Sequence, residues 1–411
     1  MVHPTLRRLT DTATRATDAA GRAARRVADS PARAAAARAA ATGAARFASL
    51  NERLRSERLT TQLGIAVGVC FAVCFATGLI SHFIQHPAWW FYWPSRPVNL
   101  YRITQGLHVA TGLALIPLLL AKLWSVFHKL FEWPPARDAA HALERLSIAV
   151  LVAAGIFQVV TGLLNVARWY AAMPFFFTVA HYWTAWIAIG AIVVHIGVKL
   201  PVIRRGLQPH QVSPSRRGVL AAVAATMGLV TVTTVGQTLR PLAGLDLLGQ
   251  RRPDIGPQGL PVNRSATAAQ VLQTARDPAY RLVLTGPAGR RELSLAQLSA
   301  MPQHTVRLPI TCVEGWSSDA TWTGVRLSYL LDLVAAPADW YAHLESLQRR
   351  GGYRTSRIGP PHSRDPLTLV ALRLGGEPLH IDHGFPCRLI APNRPGVLQT
   401  KWLARITVRE V

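Results

Sequence analysis

The sequence Ile-Thr-Cys-Val-Glu-Gly-Trp-Ser occupies residues 310–317, and it is followed by Asp-His-Gly-Phe-Pro-Cys-Arg at residues 382–388 and by Lys401-Trp402. A cysteine thiolate is a soft ligand for a transition metal, and it binds only in its deprotonated form. Arg388 offers planar, bidentate recognition of a phosphate, Lys401 adds a point charge, and His383 can donate a further hydrogen bond. These residue types predict a metal ligand, Cys312, beside an anion site.

The three segments, in this order, resemble the molybdopterin-binding domain of the sulfite oxidase family. In that family a cysteine ligates molybdenum, while the histidine and arginine of the second segment and the lysine of the third hold the pterin phosphate. The resemblance implies that Cys312 is the molybdenum ligand. It also implies a set of residues that hold the molybdenum-molybdopterin cofactor: His383, Arg388, Gln399, Thr400 and Lys401. Taken alone, Cys312 would more often be a small buried hydrophobic residue.

The segment after Cys312 departs from sulfite oxidase itself, which carries an arginine there, whereas this chain has Glu314-Gly-Trp316. This segment is more similar to that of the periplasmic methionine sulfoxide reductase catalytic subunits. We therefore assign Glu314 and Trp316, with Cys312, to the predicted catalytic pocket. If Glu314 faces the pocket it repels a dianion such as sulfite, because burying a dianion requires paired cations. The expected substrate is an S- or N-oxide, and the alternative is oxidation of a small sulfur compound or oxyanion.

The chain has 411 residues, a formal net charge of +24 and 50% hydrophobic residues, and these two properties are segregated. Residues 1–58 form a low-complexity, Ala/Arg-rich stretch with few residues that could build a core. We predict a disordered, basic cytoplasmic tail. An amphipathic helix on an anionic membrane surface is the alternative. The apolar remainder excludes a nucleic-acid-binding tail protein, so no nucleic acid partner is expected.

Five stretches are long and apolar enough to cross a bilayer, which requires ~20 residues: about 60–83, 104–127, 146–168, 177–200 and 218–239. Basic residues are frequent before the first stretch, between the second and third, and between the fourth and fifth. They are sparse in the other connections. The positive-inside rule therefore predicts a multi-pass membrane protein with a cytoplasmic N-terminus and an extracytoplasmic C-terminal domain.

The predicted fold is an N-terminal all-α transmembrane helical bundle followed by an α+β, sulfite-oxidase-like domain. We place the tail at 1–58, a four-helix cytochrome b-like domain at 59–205, the fifth span with its linker at 206–244, and the molybdopterin-binding domain at 245–411. Within this last domain, short β-rich runs and two helical patterns alternate. The strands are expected at 281–285, 305–311, 367–372, 388–392 and 404–409, and the helices at 294–299 and 326–333.

The fifth span begins with Ser215-Arg216-Arg217, which resembles a twin-arginine export signal. Paired arginines at the cytoplasmic end of a helix are also ordinary topology determinants. A cofactor that is inserted in the cytoplasm requires export of a folded domain, which favours the export signal. The span would then be retained as an anchor.

Histidines inside membrane spans are costly and therefore indicate function. His108 and His181 lie at matching depth near the outer ends of the second and fourth spans, and we predict that they ligate one haem b iron from opposite sides. Gly106, Gly112 and Gly190 are expected to let the macrocycle approach the helices.

His195 lies about four helical turns, or ~21 Å, deeper than His181. This spacing resembles the cytochrome b subunits of formate dehydrogenase and nickel-iron hydrogenase, whose last haem-binding helix carries two such histidines. His195 is therefore a candidate ligand of a second haem, although the first span has no histidine at its inner end to pair with it. His128 is a candidate substitute. His82 is a further candidate haem ligand. Alternatively, His82 and His86 lie beside a quinone head group. For all of these histidines, the alternative to ligation is a hydrogen-bonding role at the membrane interface.

Together, these patterns predict a membrane-anchored molybdenum oxidoreductase embedded in membrane lipid. It would exchange electrons between quinone or quinol, haem b and an extracytoplasmic molybdenum-pterin site. A different class is a cofactor-free binding module on a membrane anchor. The joint presence of Cys312, His383, Arg388 and Lys401 argues against that class.

Overall fold

The computed structural model describes residues 42, 56–134, 136–208, 214–238, 240–249 and 255–410. Apart from residues 42 and 56–58, the predicted basic tail lies outside the described residues. Its predicted disorder therefore stays a prediction.

Five long helices form the N-terminal part: α1 Glu57–Gln85, α2 Leu100–Leu130, α3 Ala139–Val166, α4 Phe177–Leu207 and α5 Pro214–Val235. All five contain a segment long and apolar enough to cross a membrane. This confirms the predicted multi-pass helical bundle. The fifth helix ends at Val235, a few residues before the predicted end of its span.

Local capping and close packing explain where these helices begin and how they pair. Ser56 caps α1 by accepting a hydrogen bond from the backbone N–H of Leu59, and Asp138 caps α3 in the same way. Helix α1 packs along α2, α3 packs along α4, and α5 lies against α2. Helices α1 and α4 approach closely at Gly206, where a Cβ atom would lie 2.5 Å from the Thr61 hydroxyl oxygen.

The C-terminal part contains two five-stranded sheets joined by short helices. The first sheet has the order β2-β1-β10-β5-β6, and the second has the order β3-β4-β7-β8 with β9 paired to β7. Only β1 and β10 pair in parallel among the described strands. The strands are β1 Arg281–Gly286, β2 Gly289–Ser294, β3 His304–Thr311, β4 Ser317–Arg326, β5 Tyr341–Ser346, β6 Thr355–Ile358, β7 Leu369–Leu374, β8 Glu377–Pro378, β9 Arg388–Ile390 and β10 Leu403–Arg409.

The core of this part lies between the two sheets and includes Leu282, Leu344, Val370 and Leu389, all with no measurable exposure. The short helices are α6 Ala266–Ala269, α7 Leu272–Arg276, α8 Leu295–Ala300, α9 Leu327–Asp332 and α10 Pro360–Ser363. The mixture of sheets and short helices confirms the predicted α+β class. Every predicted strand and both predicted helices are present.

Polar contacts join the sheet part to one end of the helical bundle. Arg102 forms an ion pair with Asp319 at 2.8 Å, and its Nε donates to the Ser317 hydroxyl at 2.7 Å. The backbone N–H of Tyr101 donates to the side-chain oxygen of Asn393 at 2.6 Å. These contacts place the turn between β3 and β4 directly on the bundle.

Candidate functional site

Cys312 lies in the tight turn between β3 and β4. Its backbone N–H donates to the Trp316 carbonyl at 2.9 Å, and the N–H of Gly315 donates back to the Cys312 carbonyl at 3.1 Å. Gly315 has a φ angle of 102°, which favours glycine. The Cys312 side chain is 2% exposed, so the turn holds a buried thiol in a defined position.

This thiol borders a cavity of about 450 Å³ between the helical and sheet parts. The structure places all eight residues predicted for the catalytic and pterin sites around this one cavity: Cys312, Glu314, Trp316, His383, Arg388, Gln399, Thr400 and Lys401. The helical part contributes Asn165, Tyr170 and residues of the connection between α3 and α4. These helical-part residues were not predicted, because no local pattern connects them with the Cys312 segment.

Arg388 is a buried cation and Lys401 is a partly buried one, and both are held by carbonyl oxygens. The Arg388 guanidinium donates to the carbonyls of His383 and Gln399 at 3.0 and 3.1 Å. The Lys401 ammonium donates to the carbonyls of Arg264 and Asp382 at 2.5 and 2.9 Å. No carboxylate of the described residues forms an ion pair with either cation.

Burial lowers the pKa of Arg388 to about 9. Burial, with the positive charge of Arg388 nearby, lowers the pKa of Lys401 well below its usual range. Two neighbouring positive charges that are withdrawn from water and form no ion pair among the described residues are unfavourable, and an anionic group between them would offset that cost. The electrostatics of this wall therefore suit a phosphate.

His383 and Arg264 complete this wall. Burial lowers the pKa of His383 to about 4, so its imidazole is neutral at neutral pH, and its Nε2 donates to the Pro257 carbonyl at 2.6 Å. That donor is thus already used within the protein. Arg264 was not predicted, and its Nε is buried without a hydrogen-bond partner among the described residues. An unpartnered guanidinium nitrogen is a further donor for an anion.

The carboxylate of Glu314 is paired on both oxygens. Its Oε1 accepts from Arg168 Nε and from the Tyr170 hydroxyl, both at 3.3 Å, and its Oε2 accepts from Trp316 Nε1 at 3.0 Å. Burial and the neighbouring carboxylate raise the pKa of Tyr170, so its hydroxyl remains a donor. The sequence alone predicts no partner for the Glu314 charge. The ion pair with Arg168 corrects this, because it weakens the repulsion that Glu314 alone would exert on a dianion.

His108 and His181 face one another within the helical bundle, with ring centroids 6.3 Å apart. Nδ1 of His108 lies 2.8 Å from the Cys74 carbonyl, which can only accept, so this nitrogen carries the proton. Nδ1 of His181 lies 2.9 Å from the Thr161 hydroxyl, which itself donates to the Phe157 carbonyl. Both Nε2 atoms are therefore left as potential metal ligands.

The glycines next to these two rings differ from those expected. A Cβ atom at Gly78 would lie 2.9 Å from the His108 ring, and one at Gly162 would lie 3.8 Å from the His181 ring. Of the expected glycines, Gly106 instead faces Thr238, and Gly190 has open space beside it. Glycines of α1 and α3 thus border the imidazoles, which sit on α2 and α4.

The structure does not bring the other candidate histidines to this pair. His82 stacks on Tyr182, with ring centroids 3.7 Å apart. His195 lies in the electrostatic environment of Lys122 and Glu144, and its Nδ1 is buried without a partner among the described residues. No ring contact of the described residues joins His195 to another histidine, and His128 is exposed.

The Cys312 turn and the histidine pair are close neighbours. The Val313 carbonyl accepts from Gln105 Nε2 at 3.0 Å and from Asn165 Nδ2 at 3.4 Å. Gln105 lies about one helical turn from His108 on α2, and Asn165 lies about one turn from Thr161 on α3. Phe177 lines the cavity, and its ring lies beside the His181 ring, with ring centroids 5.1 Å apart.

The fold and the two sites indicate a membrane protein in which a helical bundle with a histidine pair carries an α+β domain with a buried thiol and an anion site. Residues 268–411 match the family model described as oxidoreductase molybdopterin binding domain. Residues 65–235 match the family model described as prokaryotic cytochrome b561. The chain therefore fuses a molybdopterin-binding oxidoreductase domain to a cytochrome b561 module. Both predicted resemblances are confirmed, and with them the cofactor classes, molybdenum-molybdopterin and haem b.

Individual relatives match parts of the chain. Mitochondrial sulfite oxidase of Drosophila melanogaster is 30% identical over 156 residues, which cover 32% of this chain and 27% of that protein. The putative protein-methionine-sulfoxide reductase subunit YedZ1 of Azospira oryzae is 31% identical over 130 residues, which cover 31% of this chain and 48% of that protein. This chain thus spans less than half the length of either relative.

Among solved structures, the sulfane dehydrogenase SoxCD from Paracoccus pantotrophus is similar to part of the chain. It shares 21% identity with a TM-score of 0.30, over 33% of this chain and 39% of that one.

The described residues fit both cofactor classes. The cavity offers a buried thiol at Cys312 together with the cations Arg388 and Lys401 and the unpartnered Nε of Arg264, as a phosphate-bearing metal cofactor requires. The histidine pair offers two Nε2 atoms on imidazoles oriented by hydrogen bonds, as an axially ligated haem requires.

Proposed function

We propose that this protein exchanges electrons between a membrane quinone pool, haem b and an extracytoplasmic molybdenum-pterin site, and that it reduces an S- or N-oxide. The observation that carries the proposal is the contact of Gln105 and Asn165 with the Val313 carbonyl. This contact ties the turn bearing Cys312 to Gln105, about one helical turn from His108, and to Asn165, about one helical turn from Thr161, which hydrogen-bonds His181. Fusion in one chain keeps the two centres together without diffusion.

Each predicted site residue has a proposed role in this scheme. Cys312 ligates molybdenum, and Glu314 and Trp316 shape the catalytic pocket beside it. His108 and His181 ligate haem, and His195 and His82 stay candidates for a second haem. The pterin and its phosphate are held by His383, Arg388, Gln399, Thr400 and Lys401. When bound, molybdenum supplies oxygen-atom transfer and haem supplies one-electron transfer.

The overall reaction balances with a quinol as the donor. Reduction of a sulfoxide breaks the S–O bond, consumes two electrons and two protons, and releases the oxygen as water. A quinol provides two electrons and two protons on conversion to a quinone. The Tyr170 hydroxyl borders the cavity beside Glu314, and its one proton can turn from the protein acceptors to an oxide oxygen bound there.

The charges around Cys312 favour a neutral substrate. The cation that pairs with Glu314 is Arg168, which is therefore already engaged, and Arg307, on β3, is exposed. A buried dianion would need further paired cations. Oxidation of a small sulfur compound, with electrons passed to the membrane, is the second candidate, and the similarity to sulfite oxidase favours it.

The proposed topology has a cytoplasmic N-terminus and an extracytoplasmic catalytic domain. The distribution of basic residues supports it. Trp89 and Tyr92, which are 97% and 70% exposed, lie at the bundle end that contacts the sheet part, as expected of an outer aromatic belt. The proposed domain bounds are 59–205, 206–244 and 245–411, and Arg216-Arg217 belong to a proposed twin-arginine signal.

Stopped-flow spectroscopy of the full chain in lipid nanodiscs tests this function. With haem reduced in advance, a sulfoxide or N-oxide should reoxidise it. The double variant Gln105→Ala/Asn165→Leu should slow that step roughly tenfold or more, because small displacements of reacting centres have large rate effects. Molybdenum and haem contents should stay at the parental level.

The matched control is Gln85→Ala, which removes a different contact between the two parts, the hydrogen bond with Tyr353. Its reoxidation rate should stay near that of the parent. Failure of every oxide to reoxidise haem would reject the reductase function. An unchanged rate in the double variant would reject the proposed contact route.

A further inference from the structure

The connection between α3 and α4 forms an apolar wall of the cavity. Met173, Phe175, Phe176 and Phe177 all line it, and these residues belong to the helical part. The cations Arg388 and Lys401 belong to the sheet part. The two parts of the protein thus contribute walls of opposite chemistry.

Packing holds this wall in place. Met173 is 6% exposed, and its backbone N–H donates to the Tyr170 carbonyl at 2.9 Å. The Phe175 ring stacks on Phe157 of α3, with centroids 5.8 Å apart. The Phe177 ring contacts His181 of α4. The wall is therefore anchored to both helices that flank it.

The same wall continues to the protein surface. Phe175 and Phe176 line the cavity and yet are 41% and 62% exposed. Trp169, in the same connection, is 63% exposed but does not line the cavity. Exposed aromatic side chains at the end of membrane spans are typical of the lipid headgroup level. An apolar path thus runs from that level into the cavity.

Polar groups of the helical part lie at the inner end of this wall. The Tyr170 hydroxyl lies 3.1 Å from Asn165 Oδ1 and 3.3 Å from Glu314 Oε1, and its single proton is donated to one acceptor at a time. Glu314 is two residues from Cys312. Arg168 is engaged by Glu314, so this end offers the Tyr170 proton, which can turn to a bound ligand, without an unpaired positive charge. Such a surface suits a neutral oxide oxygen attached to an apolar group.

We propose that residues 173–177 form a substrate subsite that binds an apolar substituent, such as an aryl group, of a neutral sulfoxide or N-oxide. This inference rests on the proposed oxide reductase function and adds the substrate class. The membrane module therefore contributes to substrate selection as well as to electron transfer. Phe176 is the residue of this wall whose removal disturbs the fold least, because its side chain is mostly exposed.

The test uses the full chain with both cofactors in nanodiscs. Haem reoxidation gives kcat/KM for methyl phenyl sulfoxide and for dimethyl sulfoxide. Calorimetry gives the Kd of methyl phenyl sulfone, which keeps the aryl group and requires no turnover. Phe176→Ala should lower kcat/KM for the aryl sulfoxide roughly tenfold, change that for dimethyl sulfoxide by less than about twofold, and weaken sulfone binding.

Phe176→Leu should restore part of the preference for the aryl sulfoxide over dimethyl sulfoxide. Trp169→Ala should match the parent in both kcat/KM values and in the Kd of the sulfone. Equal effects of Phe176→Ala on both sulfoxides, or none on either, would overturn the subsite. Loss of molybdenum from Phe176→Ala would also overturn it, since the wall would then serve the cofactor. If neither sulfoxide reoxidises haem but Phe176→Ala still weakens sulfone binding, the subsite is supported and the reductase function fails.

Discussion

At the scale of single residues, the buried cations of the cavity differ from the other buried cation of the same part, Arg394. Arg394 donates to the carbonyls of Leu398 and Arg357, and burial lowers its pKa to about 10. It does not line the cavity. Arg388 and Lys401 do, so a cofactor phosphate can offset the cost of burying their charge.

Replacing these two cations should weaken cofactor binding but should not destabilise the cofactor-free protein. We expect Arg388→Met and Lys401→Met to lower molybdenum occupancy, because each cation contributes a charge-assisted contact of ~1.5 to 3 kcal/mol. In protein produced without cofactor, the same changes should leave Tm unchanged or raise it, since an unpaired buried charge is removed. Metal analysis and thermal unfolding measure both effects.

Arg405→Met, at an exposed position of β10, is the control and should change neither quantity. Full molybdenum occupancy in the double Arg388/Lys401 variant would show that another cluster holds the phosphate.

The two cysteines of the sheet part should differ in function. Cys387 lies in the core with its sulfur 3.2 Å from the Tyr280 hydroxyl, and burial raises its pKa to about 12. We expect Cys312→Ser to abolish turnover with haem content intact, because a hydroxyl is a poor substitute for a thiolate at the metal. Cys387→Ser should retain turnover. Oxide reduction by Cys312→Ser within a factor of two of the parent would refute the ligand assignment.

At the scale of elements, four helices cooperate in one histidine site. Helices α2 and α4 carry the imidazoles. Helices α1 and α3 supply the Cys74 carbonyl and the Thr161 hydroxyl that orient them, and also the glycines beside the rings. No single helix provides both an imidazole and the polar group that orients it. The site therefore depends on the packing of all four.

Single histidine replacements should show that haem binding at this site depends on His108 and His181 and not on His195. His108→Ala and His181→Ala should each remove the same haem, because an iron ligated from both sides needs both imidazoles. His195→Ala should spare that haem. Absorption spectra of purified variants measure haem content. A spectrum that loses haem only on replacement of His195 would show that the two outer histidines are not the ligands.

At the scale of the whole molecule, the two parts meet through ion pairs and hydrogen bonds around the Cys312 turn. The Arg102–Asp319 pair is partly buried, with side chains 17% and 22% exposed, so it contributes more than a fully solvated pair. The Thr238 hydroxyl donates to the Gly315 carbonyl, and the Ser317 N–H donates to the Gln237 carbonyl. Helices α2 and α3 and the end of α5 thus support the turn together.

This arrangement predicts the direction of electron flow in membranes. A sulfoxide or N-oxide should reoxidise reduced haem, and sulfite should not reduce oxidised haem. The physical reason is that Arg168 is engaged by Glu314, while Arg388 and Lys401 are assigned to the pterin phosphate, so a dianion beside Cys312 would compete with the cofactor for these cations. Difference spectra of membranes measure both reactions. Rapid haem reduction by sulfite, with no reoxidation by any oxide, would favour the sulfur-oxidising alternative.

Much of the architecture could be predicted because its signals are local. A membrane span requires a continuous apolar run whatever its neighbours are, and all five runs form helices. Strands β1, β3, β7, β9 and β10 overlap the predicted β-rich runs, whereas β2, β4, β5, β6 and β8 were not predicted. Strand β2 was missed because most of its side chains are exposed, so it has no alternating apolar pattern.

The sequence by itself determined the membrane spans, the fold class and eight of the residues that line the cavity, because these depend on apolar run length and on short motifs. Only the tertiary structure decided that Arg168 and Tyr170 pair with Glu314, that Gly78 and Gly162 border the imidazoles, and that the α3–α4 connection lines the cavity. These contacts join residues far apart in the chain. Their formation depends on how helices and sheets pack together, and no local pattern of residues records it.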